Sequence, residues 1–300
     1  MAGQQPYIAH FDLDAFFVSV ERILDPSLVG KALILGGSRE RGVVSTCSYE
    51  ARKFGVHSAM PMARAVALCP HAIVMQGTRG QYSKFSQWVT DIIAAKSPLY
   101  EKASIDEFYI DLTGMDRFFD PLQWTIDLRK EIIETTGLPI SFGLASNKMV
   151  AKMATNAAKP NGFLQVLPGK EKEFLSPLQV GEIPGVGEHM LKTMHSLGIM
   201  TISDLSVYPQ HLLEQNFGKY GEVLLQKANG KFTKKVLPLK NSDVNKEEDM
   251  GLLLFDADGD GDNDLYVTRG SYQHDPGSNL YQDILCENDG KGNFTIVNNA

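Results

Sequence analysis

The residues best able to do chemistry in this chain are two pairs of acids. HFDLDAFF, residues 10–17, holds Asp12 and Asp14 inside an apolar run, and SIDEFYID, residues 104–111, holds Asp106 beside Glu107. Strand alternation puts Asp12 and Asp14 on one face and Phe11 and Leu13 on the other. Asp14 can serve as the N-cap of a helix starting near Phe16, which leaves Asp12 without a local reason. A buried carboxylate with no partner is costly and neutralises instead. In the second pair Phe108, Ile110 and Leu112 alternate into a core, so the turn must re-aim one acid if both are to meet Asp12. Such a gathering repels itself unless a cation sits within it. Oxygen donors without His or Cys suit Mg²⁺ or Mn²⁺. Three carboxylates can hold two such ions about 3.5–4 Å apart, the arrangement that clamps both oxygens of a phosphoryl displacement. Taken singly, either pair also reads as a hairpin turn or a solvated strand face.

The surrounding patterns say what must position these acids. Strand-like YIAHFDLD precedes a helix over about 16–23; ALILGG and GVVSTCSY are strand-like, YEARKF and PMARAVAL helical, and AIVM strand-like again. A helix is predicted over 82–96, a hairpin in YEKASIDEFYIDLTG, a helix in DPLQWTIDLRKEIIETTG, a strand in PISFGLAS, a helix in NKMVAKMATNAA and a strand in GFLQVL. This order implies an α+β layer, an antiparallel or mixed sheet with helices on one face. From 176 to 230 short helices alternate with glycines, a separate helical unit. Residues 231–249 are charged and aperiodic, a linker, and from 250 to 300 Asp, Gly and Asn surround short strands.

HFDLDAFFVSVE, STCSYEARKFGV, SIDEFYIDLTG and SFGLASNKMVAKMATNAAKPNG, in this order, closely resemble the Y-family DNA polymerases of the DNA polymerase IV (DinB) class, over about residues 5–230. The resemblance implies a ferredoxin-like palm with a small fingers domain over 1–175 (fingers about 25–78) and a helical thumb over 176–230. It implies a template-directed, translesion-type polymerase that uses primer-template DNA, deoxynucleoside triphosphates and two Mg²⁺, with Mn²⁺ as a substitute. Asp12, Asp106 and Glu107 match the family's metal-binding acids, with the Leu13 carbonyl as a further ligand. Phe17 matches the aromatic steric gate that crowds C2′ of the incoming sugar, and Phe16 lies before it under the nucleotide. Thr46, Tyr49 and Arg52 match triphosphate-holding residues of the fingers, and Lys159 a palm lysine reaching the same phosphates. The residue chemistry agrees: Arg52 offers a planar fork for phosphate oxygens and Lys159 a compact charge. Both also read as surface charges, and Phe16 also reads as core.

EIPGVGEHMLKTMHSLGI, residues 182–199, resembles a helix–hairpin–helix. Gly185 and Gly187 carry no side chains, so backbone N–H groups at the next helix start can approach a DNA phosphate. Lys192, Lys219 and Lys227 are candidate contributors of salt-sensitive attraction. Family members continue into a further DNA-gripping domain and a sliding-clamp peptide. Neither is recognisable, so low processivity is expected.

The tail FDADGDGDNDLYVTRGS resembles a single FG-GAP or VCBS repeat, β-rich and calcium-binding. Asp256, Asp258, Asp260 and Asp264 recur at calcium-loop spacing with the Asp262 carbonyl as a further ligand, and an EF-hand is argued against by Val267 at loop position twelve. A flexible acidic linker is the other reading.

Bulk properties fit this division. The net charge of −7 is uneven: residues 241–300 hold 13 acidic and 3 basic side chains, leaving a net +3 over 1–240. The basic body is compatible with phosphate contacts. No apolar run approaches the ~20 residues of a membrane helix, and no signal peptide is evident. Three scattered cysteines, Cys47, Cys69 and Cys286, suggest free thiols and a cytoplasmic protein. Two other functions fit part of the pattern: a nucleotidyl cyclase on a similar palm, and a catalytically silent DNA-binding or calcium-binding protein.

Overall fold

The structure is a computed structural model that describes residues 5–39, 41–78, 80–230, 249–255, 257, 264–269, 284–288 and 294–297. It divides into two compact units, Met1–Phe232 and Thr233–Ala300. In the first, β1 (Ile8–Leu13) runs into α1 (Phe16–Leu24). The chain then leaves for β2 (Leu33–Gly36), β3 (Val44–Cys47), α2 (Tyr49–Arg52), α3 (Met62–Leu68) and β4 (Ile73–Met75). It returns through α4 (Gln81–Lys96), β5 (Tyr100–Lys102), β6 (Glu107–Asp111), α5 (Pro121–Thr136), β7 (Ile140–Ala145), α6 (Lys148–Ala158) and β8 (Phe163–Gln165). After α7 (Glu171–Leu175) come the helices of the thumb: α8 (Glu188–Ser196), α9 (Ile202–Val207), α10 (Gln210–Phe217) and α11 (Tyr220–Ala228).

The palm sheet has the order β5-β6-β1-β7-β8, antiparallel except for the parallel pair β7–β8. Its first four strands give a ferredoxin-like arrangement, with β1 central and β8 added at the edge. The fingers form a smaller sheet, β3-β2-β4. Alternation along β1 decides which side chains are core. Ala9, Phe11 and Leu13 pack with Phe108, Ile110, Phe142, Leu144 and the α4 and α5 residues Val89, Ile93, Leu128 and Ile132. His10 and Asp12 face the other way, toward α6. The expectation of helices on one face is therefore corrected. The parallel pair β7–β8 needs a crossover, and that crossover, α6, covers the opposite face. Gly143 makes the close approach possible: a Cβ there would fall 2.2 Å from the Ala151 carbonyl oxygen. This lowers α6 onto the sheet beside the acids.

The second unit is an antiparallel four-stranded meander, β9 (Asp249–Phe255), β10 (Asp264–Arg269), β11 (Ile284–Asn288) and β12 (Phe294–Val297), each strand paired with the next. Asp264 is buried, and its carboxylate accepts the Ala257 and Asn288 backbone N–H groups at 2.7 and 2.9 Å. Asp256, Asp258, Asp260 and Asp262 lie outside the described residues, as does the expected linker through residue 248. No helix among the described residues is long and apolar enough to cross a membrane.

Candidate active site

Antiparallel register places Asp12 of β1 directly opposite Glu107 of β6. Asp106 precedes β6, its carbonyl accepting the Leu13 N–H at 3.0 Å. The device that re-aims one acid of the pair is Ser104. Its hydroxyl accepts the backbone N–H groups of Asp106 and Glu107 and donates to Asp106 Oδ1 at 2.6 Å. All three predicted acids thus come to one end of the palm sheet.

Each strand acid there is met by a lysine from α6 or its C-terminal edge. Lys159 Nζ lies 2.5 Å from Asp12 Oδ1, and Lys152 Nζ lies 2.6 Å from Glu107 Oε2. Lys148 pairs with Glu101 one turn earlier. His10, wholly buried, shares Nδ1 with the Thr155 hydroxyl at 2.8 Å and brings Nε2 to 3.6 Å from Glu107 Oε2, longer than a hydrogen bond. Burial lowers its pKa, which favours the neutral ring.

These neighbours separate the two acids electrostatically. Burial pushes the Asp12 carboxyl up to about 6 against the pull of Lys159, and the charges of Glu107 and Asp106 add to the rise. With the neutral His10 ring beside it, Lys152 at 2.6 Å holds Glu107 down at about 2 despite its partial burial. Lys159 alone therefore does not compensate the charge at Asp12. Asp12 Oδ2, Glu107 Oε1 and Asp106 Oδ2 accept no hydrogen bond among the described residues. As placed, no three acid, His or Cys side chains among the described residues close on one point to hold an ion. By type and by unused oxygens, the trio fits a hard divalent cation.

The remaining predicted residues divide. Tyr49 is half-buried at the start of α2, its hydroxyl 3.4 Å from Asp14 Oδ1, and the exposed Arg52 guanidinium lies over its ring at 4.6 Å. Thr46 is half-buried on β3. Phe17 is half-buried with its ring 4.4 Å from that of Tyr82, and both line a cleft of about 400 Å³ between fingers and palm. Phe16 is 3% exposed and turned into the palm core, the packing role the sequence also allowed. Lys159 is paired with Asp12.

Asp14 is also corrected. Ala15, at φ 43°, takes the N-cap position of α1 and no side chain caps the helix. The Asp14 carboxylate instead accepts the Ser141 hydroxyl at 2.8 Å and the Asn161 N–H at 2.6 Å. Sequence reasoning missed Lys152 and His10 as well. Lys148, Lys152 and Lys159 fall at i, i+4 and i+11, one stripe of a helix and its end, and His10 precedes Asp12 by two along a strand; both signals were present.

In the thumb, Gly187 is the N-cap of α8, and a Cβ on it would meet nothing within 4 Å. Gly185, at φ 93°, is glycine for conformational reasons. Lys227 is spent internally, donating to the Pro184 carbonyl at 2.8 Å and the Tyr220 hydroxyl at 2.9 Å, and Lys192 pairs with Glu188 at 2.8 Å.

The sequence profile of the impB/mucB/samB family matches residues 11–156, which hold all three acids. The DNA polymerase-iota thumb domain matches residues 181–231, which hold the glycine hairpin. The chain is 39% identical over 243 residues to a DNA polymerase IV of Dehalococcoides mccartyi, covering 80% of this chain and 62% of that protein. It is 41% identical over 223 residues to a DNA polymerase IV of Treponema denticola, covering 74% and 56%. The chain thus spans about three fifths of the length of these curated relatives. DinB from Sulfolobus solfataricus matches in structure with a TM-score of 0.69 at 32% identity, covering 77% of this chain and 69% of that one. The insertion ternary complex of Dbh DNA polymerase gives 0.68 at 31% identity, with the same coverage of 77% and 69%. On these matches the chain belongs to the impB/mucB/samB family, its first unit being a Y-family polymerase core of the DNA polymerase IV (DinB) type.

Proposed function

We propose that this core adds deoxynucleotides to a primer 3′-hydroxyl on a DNA template, in the translesion manner. Its division would be palm and fingers over 1–175 and thumb over 176–230. The observation that carries the reading is Asp12 opposite Glu107, beside Asp106, each with an unused carboxylate oxygen. Asp12, Asp106, Glu107 and the Leu13 carbonyl would hold two Mg²⁺, and Mn²⁺ suits the same donors. Bound there, such ions lower the pKa of an attacking hydroxyl and neutralise a triphosphate and its leaving group.

The chain's own residues prepare that chemistry. Lys152 keeps Glu107 ionised, so its carboxylate would be available as a ligand at any pH near neutral. Lys159, held only by Asp12 among the described residues, would have a better partner once phosphate oxygens arrive beside it. Arg52, splayed over Tyr49 and exposed, presents its fork to the same phosphates. The Phe17 ring, at the mouth of the cleft, would occupy the place of a 2′-hydroxyl. The Ca²⁺ reading of the tail rests on acid spacing, together with Asp264, whose oxygens already take two backbone donors. Calorimetric titration of the chain with Ca²⁺ tests it.

Primer extension with Mg²⁺, comparing the full chain with one ending at Gly230, tests the main reading. Template-directed addition by both, abolished by a chelator, is expected. The ion pairs Lys159–Asp12 and Lys152–Glu107, which already engage two of the three acids, favour one other reading, a DNA-binding protein without catalysis. DNA binding with no addition by either form would establish that reading instead.

The hairpin gives a separate expectation. Gly187→Ala should cost the fold no more than about 0.5–1 kcal/mol, the effect of alanine at an N-cap. Because a methyl group at the helix start would meet an approaching phosphate, DNA affinity should fall about tenfold at fixed salt. Fluorescence anisotropy with a primer-template measures it. Unchanged affinity would remove the hairpin from the interface.

A further inference from the structure

Glu21 is a buried acid that the proposed chemistry does not use. It lies on α1 four residues after Phe17, so the two share a helix face, and it is 3% exposed. Its carboxylate accepts three hydrogen bonds: the Thr78 N–H at 2.7 Å, the Thr78 hydroxyl at 2.9 Å and the Tyr82 hydroxyl at 2.5 Å. No lysine or arginine among the described residues pairs with it. A buried carboxylate held only by neutral donors is costly to keep and demands full satisfaction. It fixes what donates to it.

What it fixes is the ring behind Phe17. Tyr82 packs against Phe17 at 4.4 Å between centroids and also reaches Phe16 at 6.2 Å. A second feature is built around the same hydroxyl. Gly77 has an ordinary backbone, yet a Cβ on it would fall 2.1 Å from Tyr82 Oη. The absent side chain makes room for the hydroxyl that Glu21 holds. With the Tyr82 hydroxyl fixed at one end and its ring against Phe17, the Phe17 ring is denied the space it would need to swing away from the cleft.

We infer that Glu21, acting through Tyr82, is a positioning residue that fixes the Phe17 ring and thereby sets how strongly the site rejects ribonucleotides. This rests on the reading of Phe17 as the sugar gate of a polymerase. The relay is mechanical. Loosening it leaves the reacting groups in place and widens what the gate admits.

Single-nucleotide incorporation by the full chain with Mg²⁺ tests it, read as the ratio of kcat/KM for a deoxynucleotide over the matching ribonucleotide. Phe17→Ala should collapse the ratio. Glu21→Gln should lower it about tenfold, the effect of losing one hydrogen bond to a charged group, while kcat/KM for the deoxynucleotide stays within about threefold; Tyr82→Phe should lower the ratio by about as much. Gly77→Ala, which drives the hydroxyl aside, should act in the same direction. In a Phe17→Ala background, Glu21→Gln should change the ratio no further, an outcome that general loosening of the fold would not give. An unaltered ratio in Tyr82→Phe, with Phe17→Ala still collapsing it, would overturn the relay and leave the gate standing. An unaltered ratio in Phe17→Ala would overturn the gate, and the relay with it. Should Glu21→Gln fail to fold, Tyr82→Phe decides alone.

Discussion

Asp12→Asn is expected to abolish nucleotide addition and, in the absence of metal, to make the protein more stable. The catalytic loss follows from removing one of three oxygen-donor side chains where divalent charge is needed, and a drop of at least about 10³-fold is expected. The gain in stability follows from the geometry. Asp12 is buried, pairs in register with Glu107 across the sheet, and has only Lys159 as its counter-charge among the described residues. Its carboxyl is raised from the ordinary 3.8 to about 6, chiefly by burial. A group raised in this way binds its proton more tightly folded than unfolded. Its favourable contribution is complete below pH 3.8 and is lost as pH rises through about 6. At neutral pH the ionised form therefore costs the fold up to about 3 kcal/mol.

Asparagine removes that cost but also releases Lys159, so a net gain of about 1–2 kcal/mol is expected. In a domain of this size that corresponds to a rise in Tm of about 2–8 °C. Thermal melts with a chelator at pH 7.5 measure it, and the gain should shrink toward pH 4. Mg²⁺ should raise the Tm of the parent chain and leave the variant's nearly unchanged, because only the parent keeps the full donor set. A variant less stable than its parent at pH 7.5 would show that Lys159 fully compensates Asp12, and the site would lose its reason to take up an ion. Glu107 runs the other way. Held at about 2, it contributes stability above pH 4.5 that is lost as pH falls through 2.

Much of this arrangement is legible in the sequence where alternation alone decides it. Phe11 and Leu13 against His10 and Asp12, or Phe108 and Ile110 against Glu107, sort into core and site by period two, and the structure keeps that sorting. What stays hidden depends on partners distant along the chain. Phe16 and Phe17 are adjacent aromatics on one helix, and only the packing of α4 and α5 makes one core and leaves the other at a cleft. Lys227 looks like a solvent-facing charge, yet a carbonyl of the hairpin and a tyrosine hydroxyl claim it. Glu21 sits on an amphipathic helix like any surface acid, and its donors come from 57 and 61 residues away. Helices on both faces of the palm were hidden too, because nothing local marks α6 as a crossover between parallel strands.

Asp14 is the sharpest instance, and its removal should be the most destabilising change near the site. N-cap preference is a local rule, and it assigned Asp14 to the start of α1. The fold uses the residue to join three segments. Buried at 2% exposure, its carboxylate binds the Ser141 hydroxyl of β7 and the Asn161 N–H of the loop after α6, and lies 3.4 Å from the Tyr49 hydroxyl of the fingers. Its own carbonyl accepts the Ser19 hydroxyl at 2.7 Å. Asp14→Ala strands the Asn161 N–H and the Ser141 hydroxyl without their acceptor and leaves a small void, a loss of about 3 kcal/mol. Ser141→Ala removes one donor, keeps the acid bonded to Asn161 and strands the Gly162 N–H that the hydroxyl accepts at 3.2 Å, so about 1–2 kcal/mol is expected. Urea unfolding at pH 7 measures both. Activity should follow because the loop that Asp14 anchors carries Lys159. Arg129 also grips this loop, donating to the Asn161 carbonyl at 2.7 Å and to its side-chain oxygen at 2.6 Å, so the loop loosens without detaching. A fall of about 10- to 100-fold in single-turnover addition is expected for Asp14→Ala, within the range for misplaced groups. The decisive comparison is the double variant with Lys159→Ala. If Asp14 acts through the lysine, the second substitution adds little; if the two losses multiply, Asp14 works by another route, and the anchoring of Lys159 is not its contribution to catalysis.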